Sequence, residues 1–217
     1  MIKHYSSKII GLGKYMPENK VTNDDLSTLM DTSHDWIVER TGIEERRFIA
    51  KDSAEGTASM GVMAAQQAID RAGISKDYID LIVFATLSPD YYFPGSGVLV
   101  QDIMGIGTCP ALDVRNQCSG FIYALSVADQ YIRTGTYKNV LVIGSEHHSG
   151  GLDLTTRGRT VSVIFGDGAG AAVVSRHENP EEGVLSTHLH SEGKHAKELS
   201  LIGPSTKKWV HEVFENY

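Results

Sequence analysis

The sequence predicts an α/β fold: a mixed, mostly parallel sheet with a central buried helix. Three observations carry this expectation. Short, almost uninterrupted apolar runs occupy residues 81–87, 111–114 and 140–143, stretches with helical spacing lie between them, and Gly, Pro or capping residues mark the joints. Runs that are apolar on both faces suit strands covered by helices on either side. Strands that alternate with helices are joined by crossovers and therefore lie parallel. The last apolar segments follow one another without a helix and are expected to be antiparallel, which makes the sheet mixed.

Taken in order, residues 8–12 form a short β-type run ending at Gly13. Thr22 and Asn23 before Asp24, Asp25 and Leu26 make a capped helix start. Thr32 and Ser33 open a second helix through Trp36, Ile37 and Val38, with Gly42 as its stop. Residues 59–72, rich in Ala, Met and Gln, form a helix closed by Gly73. Residues 81–87 are a doubly buried strand. Phe93-Pro94 is expected to open a helix, since Pro is tolerated in a first turn.

Residues 119–133 place Phe121, Ile122, Leu125, Ala128 and Ile132 at helical spacing, and Ala124 and Val127 broaden the stripe. A helix this apolar is expected to be central and buried. Residues 161–165 and 169–175 are read as two strands joined by a hairpin turn at Gly166-Asp167-Gly168, and residues 184–190 as a further strand. The division expected is one domain over residues 1–192 and an irregular tail over 193–217.

Composition narrows the function. A chain of 217 residues with 41% hydrophobic and 22% charged content can bury a substantial core. Twenty Lys and Arg against 27 Asp and Glu give a net charge of −7, which argues against nucleic acid or an anionic membrane as a partner. Two cysteines make no disulfide framework. No stretch has the roughly 18 apolar residues of a membrane span, and residues 1–8 lack the apolar run of a secretory signal. A cytoplasmic location is expected.

The chemistry centres on Cys118. It lies between a strand ending near Val114 and a helix starting near Ser119, where unpaired amide groups and the positive end of the helix dipole converge. Such a field favours the thiolate, which is the nucleophile. The same amides suit an oxyanion formed by attack on a thioester, and Gly120 leaves room for close approach. These local features alone leave a buried structural cysteine open as the alternative. Cys109, beside Pro110 and with no helix start behind it, is read as structural.

Four segments carry a resemblance: residues 113–125 around Cys118, 31–43 (DTSHDWIVERTGI), 164–171 (IFGDGAGA) and 126–131 (SVADQY). Together, and placed along the chain in the family's order, they resemble the amino-terminal half of the ketoacyl-acyl-carrier-protein synthase III family. The resemblance implies a thiolase-like fold of two similar halves, of which this chain holds the first, and a homodimer. It implies that the active cysteine takes an acyl group from acyl-CoA, after which malonyl-acyl carrier protein is decarboxylated and condenses with it. Coenzyme A is then a substrate, with no permanently bound cofactor and no metal.

The resemblance also implies site residues. Trp36 and Arg157 match the pair that sandwiches adenine, Arg40 a phosphate- or pantetheine-side cation on the helix face of Trp36, and Thr32 a polar contact to the nucleotide. Phe93 matches a ring that closes the acyl pocket across the dimer interface and limits chain length by overpacking.

The family's catalytic His and Asn come from the second half and are expected to be absent from this chain. His147 and His148 follow a strand in a loop near the cofactor entrance. They, with His188, His190, His195 and His211, are read as solvated or structural. Residues 209–214 resemble the first steps into a second half, so a truncated product, a fragment or an incomplete sequence is the expectation.

Two departures from the family pattern stand out. Gly95-Ser96-Gly97 after Phe93 is expected to loosen the acyl pocket. The bulky trio Arg115-Asn116-Gln117 is expected to mark altered acyl-group choice. The alternatives are a non-catalytic assembly half-subunit or a polyketide-type synthase. A cysteine hydrolase is disfavoured, because no His or acid is assignable as its base.

Overall fold

A computed structural model describes residues 5–200. The tail segment 209–214 lies outside the described residues. The chain divides into a unit of residues 1–187 and a second of residues 188–217. In the second, a single 3-10 turn, Gly193–His195, is present among the described residues.

The sheet of the first unit has the order β1 (Ser6–Tyr15), β7 (Gly168–His177), β6 (Asn139–Glu146), β4 (Leu81–Ala85), β5 (Ala111–Val114). β6–β4 and β4–β5 are parallel, whereas β1–β7 and β7–β6 are antiparallel. The parallel block is the part built from crossovers. α4 (Ser96–Met104) joins β4 to β5, and α5 (Gly120–Arg133) joins β5 to β6.

Alternate strand residues divide between two apolar layers. Ile82, Phe84, Leu141, Ile143, Ala171 and Val173 face α3 (Thr57–Ala72) and α4. Leu81, Val83, Ala85, Val140, Val142 and Val174 face α5. This two-sided covering is why the strands read as unbroken apolar runs. α3 approaches β1 so closely that a Cβ on Gly13 would lie 2.0 Å from the Ala64 carbonyl oxygen. Its Ala-rich face permits that approach.

α5 buries Gly120, Ala124, Ala128 and Ile132 against the sheet, while Ile122 and Tyr131 on its other side are 47% and 39% exposed. Truncating a fully buried side chain such as Ile132 to Ala costs about 2–5 kcal/mol in comparable cores.

The early helices are set locally. Thr22 caps α1 (Asn23–Ser27) in a reciprocal box with Asp25. Ser33 caps α2 (His34–Thr41), and Gly42 ends it at φ +70°. α1 and α2 pack Leu26, Met30 and Ile37 with Val163 beside the small β2 (Lys20–Thr22)–β3 (Glu45–Arg47) pair.

Three expectations are corrected. Residues 161–165 are not a strand, and no hairpin follows them. α6 (Arg159–Ser162) is a short helical turn in which Ser162 and Val163 are buried while Val161 and Ile164 point outward. That phase is helical, not two-residue alternation. Gly166-Asp167-Gly168 is held by the buried Asp167 carboxylate, which accepts hydrogen bonds from the backbone N–H groups of Ile49 (2.7 Å) and Ser149 (2.8 Å) and from the Ser149 hydroxyl (2.5 Å).

Residues 184–190 form no strand. Val184 N–H bonds the Ser7 carbonyl at 2.8 Å, but no ladder follows. Finally, α4 starts at Ser96 with Gly95 as its cap, two residues beyond Pro94. Its first turn is fixed by carboxylates: Asp113 accepts from Gly97 N–H at 3.0 Å, and Asp90 accepts from the Ser96 hydroxyl at 2.8 Å.

Candidate active site

Cys118 is exposed, in a 3-10 turn (Gln117–Ser119) that runs directly into α5. Gln117 holds φ +50°, a left-handed value uncommon outside glycine, and this turns the chain sharply just before the thiol. Ser119, which opens α5, makes no side-chain capping bond, and Gly120 N–H bonds the Gln117 carbonyl, so the positive end of the helix faces the cysteine without a capping oxygen from Ser119.

Two close approaches seat the helix on the strand ends. A Cβ on Gly120 would lie 3.2 Å from that of Ala85, and one on Gly144 would lie 3.2 Å from the Phe121 ring. Ala85 and Gly144 are at the C-terminal ends of the parallel strands β4 and β6. Ligands of open α/β sheets bind beyond that edge.

The loop after β4 is strapped down by acids that the sequence reading did not single out. Glu146, at the end of β6, accepts from Thr86 and Ser88 hydroxyls at 3.1 and 2.5 Å and from Leu87 and Ser88 amides at 3.0 and 3.2 Å. Asp90 accepts from Ala58 N–H in the first turn of α3 at 2.9 Å. Beside them a cavity of about 410 Å³ is lined by Glu55, Thr57, Ser88, Asp90, Tyr91 and His147 among others. Phe93 projects from this loop and is 82% exposed.

Gly95 and Gly97 do not loosen the segment. A Cβ on Gly95 would lie 2.2 Å from Asp113 Cγ, and one on Gly97 would lie 2.7 Å from Asp113 Oδ1. Both glycines admit the Asp113 carboxylate, which draws the loop onto the end of β5. Asp113 as a residue is exposed, but partial desolvation of its carboxylate in this crevice raises its pKa, and Asp90 adds to the effect; the Gly97 and Ser96 amides offset part of it.

A second cluster surrounds Trp36. The Arg40 guanidinium carbon is 4.5 Å from its ring centroid and that of Arg159 is 5.0 Å away. Arg159 also donates to the Asp31 carbonyl, and Asp31 N–H bonds Thr156 at 2.9 Å. The hydroxyl of Thr32, the residue after Asp31, is buried without a hydrogen-bond partner among the described residues. Arg157 points elsewhere: its side chain is 88% exposed and pairs with Asp153 at 2.7 Å. Hydrogen bonds from Thr155 and Arg157 hold the Asp153 carboxyl down at about 2.

A family model described as 3-oxoacyl-[acyl-carrier-protein (ACP)] synthase III matches residues 112–193, the stretch containing Cys118. The beta-ketoacyl-[acyl-carrier-protein] synthase III of Aliivibrio fischeri is 49% identical over 218 residues, covering 96% of this chain and 67% of that relative. The chain belongs to the beta-ketoacyl-[acyl-carrier-protein] synthase III family.

The solved 3-oxoacyl-(acyl carrier protein) synthase III of Pseudomonas aeruginosa superposes with a TM-score of 0.85 at 31% identity, over 97% of this chain and 66% of that one. The priming β-ketosynthase of the R1128 polyketide pathway superposes at 0.78 with 34% identity, over 83% and 53%. The chain thus spans about two thirds of the synthase III relatives it matches. The thiolase-like fold expected from the sequence is the fold of these synthases.

Within this synthase III chain, the structure brings Arg40 and Arg159 to Trp36, while Arg157 pairs with Asp153. Arg159, which the sequence reading missed, takes the place beside Trp36. The available signal was phase. Arg159 and Val163 are four residues apart, so reading 159–163 as helical places Arg159 above the apolar contact that Val163 makes with α2. The strand reading hid that relation.

Proposed function

We propose that the protein catalyses acyl transfer as a 3-oxoacyl-[acyl-carrier-protein] synthase III, with Cys118 as acceptor, acyl-CoA as donor and malonyl-acyl carrier protein as the second substrate. The observation that carries this reading is the exposed Cys118 thiol at the uncapped head of α5, over the ends of two parallel strands. In the first half-reaction the Cys118 sulfur attacks the acyl carbonyl carbon. A new C–S bond forms, the bond to the coenzyme A sulfur breaks, and the thiol proton leaves with coenzyme A. The amides opening α5 supply donors for the transient oxyanion.

In the second half-reaction malonyl loses carbon dioxide, and the resulting carbanion attacks the Cys118 thioester, forming a C–C bond as the C–S bond breaks and Cys118 leaves as thiolate. The donors for this half-reaction are the family's His and Asn, which the resemblance places outside these residues. Removing such a donor typically lowers rate by about a hundredfold or more.

The nucleotide end of coenzyme A is assigned to Trp36, Arg40, Thr32 and Arg159, with Arg159 replacing Arg157 as the adenine partner. An adenine stacking on Trp36 takes the place of one guanidinium there. The buried Thr32 hydroxyl suits a polar contact to the ligand. Coenzyme A comes and goes as substrate. A homodimer is supported by β5, which pairs with β4 alone among the described strands and leaves its other edge open. Phe93, exposed next to it, suits a role in a partner's acyl pocket. The proposed substrates, acyl-CoA and malonyl-acyl carrier protein, favour a cytoplasmic enzyme. The 49% identity to the Aliivibrio fischeri synthase III, over 96% of this chain, supports the fatty-acid-initiation reading.

Intact-mass analysis after incubation with acyl-CoA tests the reading. One acyl adduct is expected, lost in Cys118→Ala and kept in Cys109→Ala. An unmodified wild-type protein, or an adduct that survives Cys118→Ala, overturns it and leaves an assembly role.

A further inference from the structure

We infer that Arg46 is a positioning residue that holds Arg159 over the Trp36 ring and so sets the affinity for coenzyme A. The inference deepens the coenzyme A reading and rests on it.

Arg46 lies in the middle of β3, opposite Val21 of β2, and is buried. Its guanidinium donates to two backbone carbonyl oxygens, those of Val163 at 3.1 Å and Val21 at 3.4 Å. Its Nε–H is buried with no acceptor among the described residues, and desolvation pushes the guanidinium pKa down. Burying a cation with incomplete hydrogen bonding is costly. An apolar side chain of similar length would fill the same space without that cost. What arginine adds here is donation to Val163 and Val21.

Val163 is the C-cap of α6, and Arg159 is the first residue of that turn. The Val163 N–H reaches back to the Arg159 carbonyl at 3.4 Å, a long bond by ordinary geometry. Val163 thus receives Arg46 on its carbonyl and meets Arg159 through its amide. With four residues, α6 is too short to hold its place on internal bonds. It is held from outside, by the Ser162 hydroxyl on the Asp153 carbonyl at 2.7 Å, by the Val163 side chain against Leu26, Met30 and Ile37, and by Arg46. Of these, Arg46 ties the turn to the β2–β3 pair. The chain beyond the turn is anchored separately, by Asp167 N–H on the Arg47 carbonyl at 2.8 Å. Loss of Arg46 therefore frees α6 without releasing the segment that follows it.

At the other end of the turn, the Arg159 guanidinium carbon lies 5.0 Å from the Trp36 centroid, and the side chain donates to the Asp31 carbonyl. A shift of the turn carries that guanidinium off the ring. Arg46 acts through the α6 backbone rather than on coenzyme A itself.

Titration calorimetry of the full chain with coenzyme A tests this role. Arg46→Met should raise Kd about fivefold, and Arg46→Lys, which keeps the charge and one donor group, about threefold. In an Arg159→Ala background either change should leave Kd near that of Arg159→Ala alone, because the side chain being positioned is gone. A role in stability alone would lower the binding-competent fraction, read as stoichiometry, and leave Kd unchanged. The second readout is the ratio of Cys118 acylation rates with acetyl-CoA and with acetyl-pantetheine, which lacks the nucleotide, each below saturation. That ratio should fall in the Arg46 variants in step with Kd, whereas general damage would slow both thioesters together. Arg46→Lys carries the same comparisons if Arg46→Met does not fold. Wild-type Kd and rate ratio in the folded variants, or the same loss in the Arg159→Ala background, overturns the inference. If the wild-type chain binds no coenzyme A, or Arg159→Ala binds it as tightly as wild type, the nucleotide-site reading falls and the inference with it.

Discussion

The Asp113 carboxylate and Gly95 are so close that no Cβ fits between them: one built on Gly95 would stand 2.2 Å from Asp113 Cγ. Gly95 has φ −70°, which alanine adopts freely, so the demand for glycine here is steric and comes entirely from Asp113. In Gly95→Ala the least costly relief is rotation of Asp113 away from Gly97 N–H. A hydrogen bond to a charged group contributes about 1.5–3 kcal/mol, less where water reaches it, so a loss of about 1–2 kcal/mol is expected. Urea denaturation should show that penalty for Gly95→Ala and almost none when the same change is made in an Asp113→Ala background. Equal penalties in both backgrounds would show that the clash lies elsewhere.

The same carboxylate gives stability a pH dependence of defined sign. Partial desolvation, with Asp90 nearby, raises the Asp113 pKa above its unfolded value. A raised pKa means that the folded state holds the proton more tightly. Its favourable contribution is complete below the unfolded carboxyl value, near 3.9, and is lost as pH rises through the folded value. Asp113→Asn keeps an acceptor for Gly97 N–H and removes the charge. The urea midpoint of Asp113→Asn should match or exceed that of the wild type at pH 7, and the advantage should shrink as pH falls toward 4. A variant whose deficit is constant from pH 4 to 7 would count against a desolvated carboxylate at this position.

What was legible in the sequence was local. Thr22 with Asp25, Ser33 with Gly42, and Gly73 announce helix ends through bonds that span a few residues, and they are where the capping rules put them. The doubly buried strands were equally plain, because both faces of β4 and β6 are covered. The segment 161–168 was misread because its geometry is set from far along the chain. Asp167 answers to Ile49, Val163 O accepts from the buried Arg46 guanidinium at 3.1 Å, and Ser162 bonds the Asp153 carbonyl. No local pattern encodes those partners. The position of Cys118 was legible as a strand-to-helix joint, whereas the straps on the neighbouring loop, Glu146, Asp90 and Asp113, were not, since each is an acid whose partners are amides on another segment.

Arg157 and Arg159 are two residues apart and face different surroundings, so the proposed coenzyme A site should depend on them unequally. Arg159 lies over Trp36 and is anchored to Asp31, while Arg157 is exposed and paired with Asp153. Arg159→Ala should weaken coenzyme A binding about tenfold, the effect of losing roughly 1.4 kcal/mol, and Arg157→Ala should leave it within about twofold, as expected for an exposed ion pair. Titration calorimetry with coenzyme A distinguishes them. The reverse order would return the adenine contact to Arg157.

Gln117 holds the turn ahead of Cys118 in a conformation that most side chains resist. The left-handed region costs a residue with a Cβ about 1–2 kcal/mol, and a β-branched one more. Glycine removes that cost but gains freedom in the unfolded chain, which returns about 0.5–1 kcal/mol of it. Gln117→Gly should therefore be as stable as the wild type or slightly more so, whereas Gln117→Val should lose about 1 kcal/mol or more in urea denaturation. Acylation should separate the two further. The glycine variant keeps the turn accessible and should retain the Cys118 adduct. The valine variant favours extended backbone at 117, swings the thiol off the head of α5, and should acylate several-fold more slowly even where it is fully folded. Equal acylation rates for Gln117→Val and wild type would show that the left-handed turn does not position the sulfur.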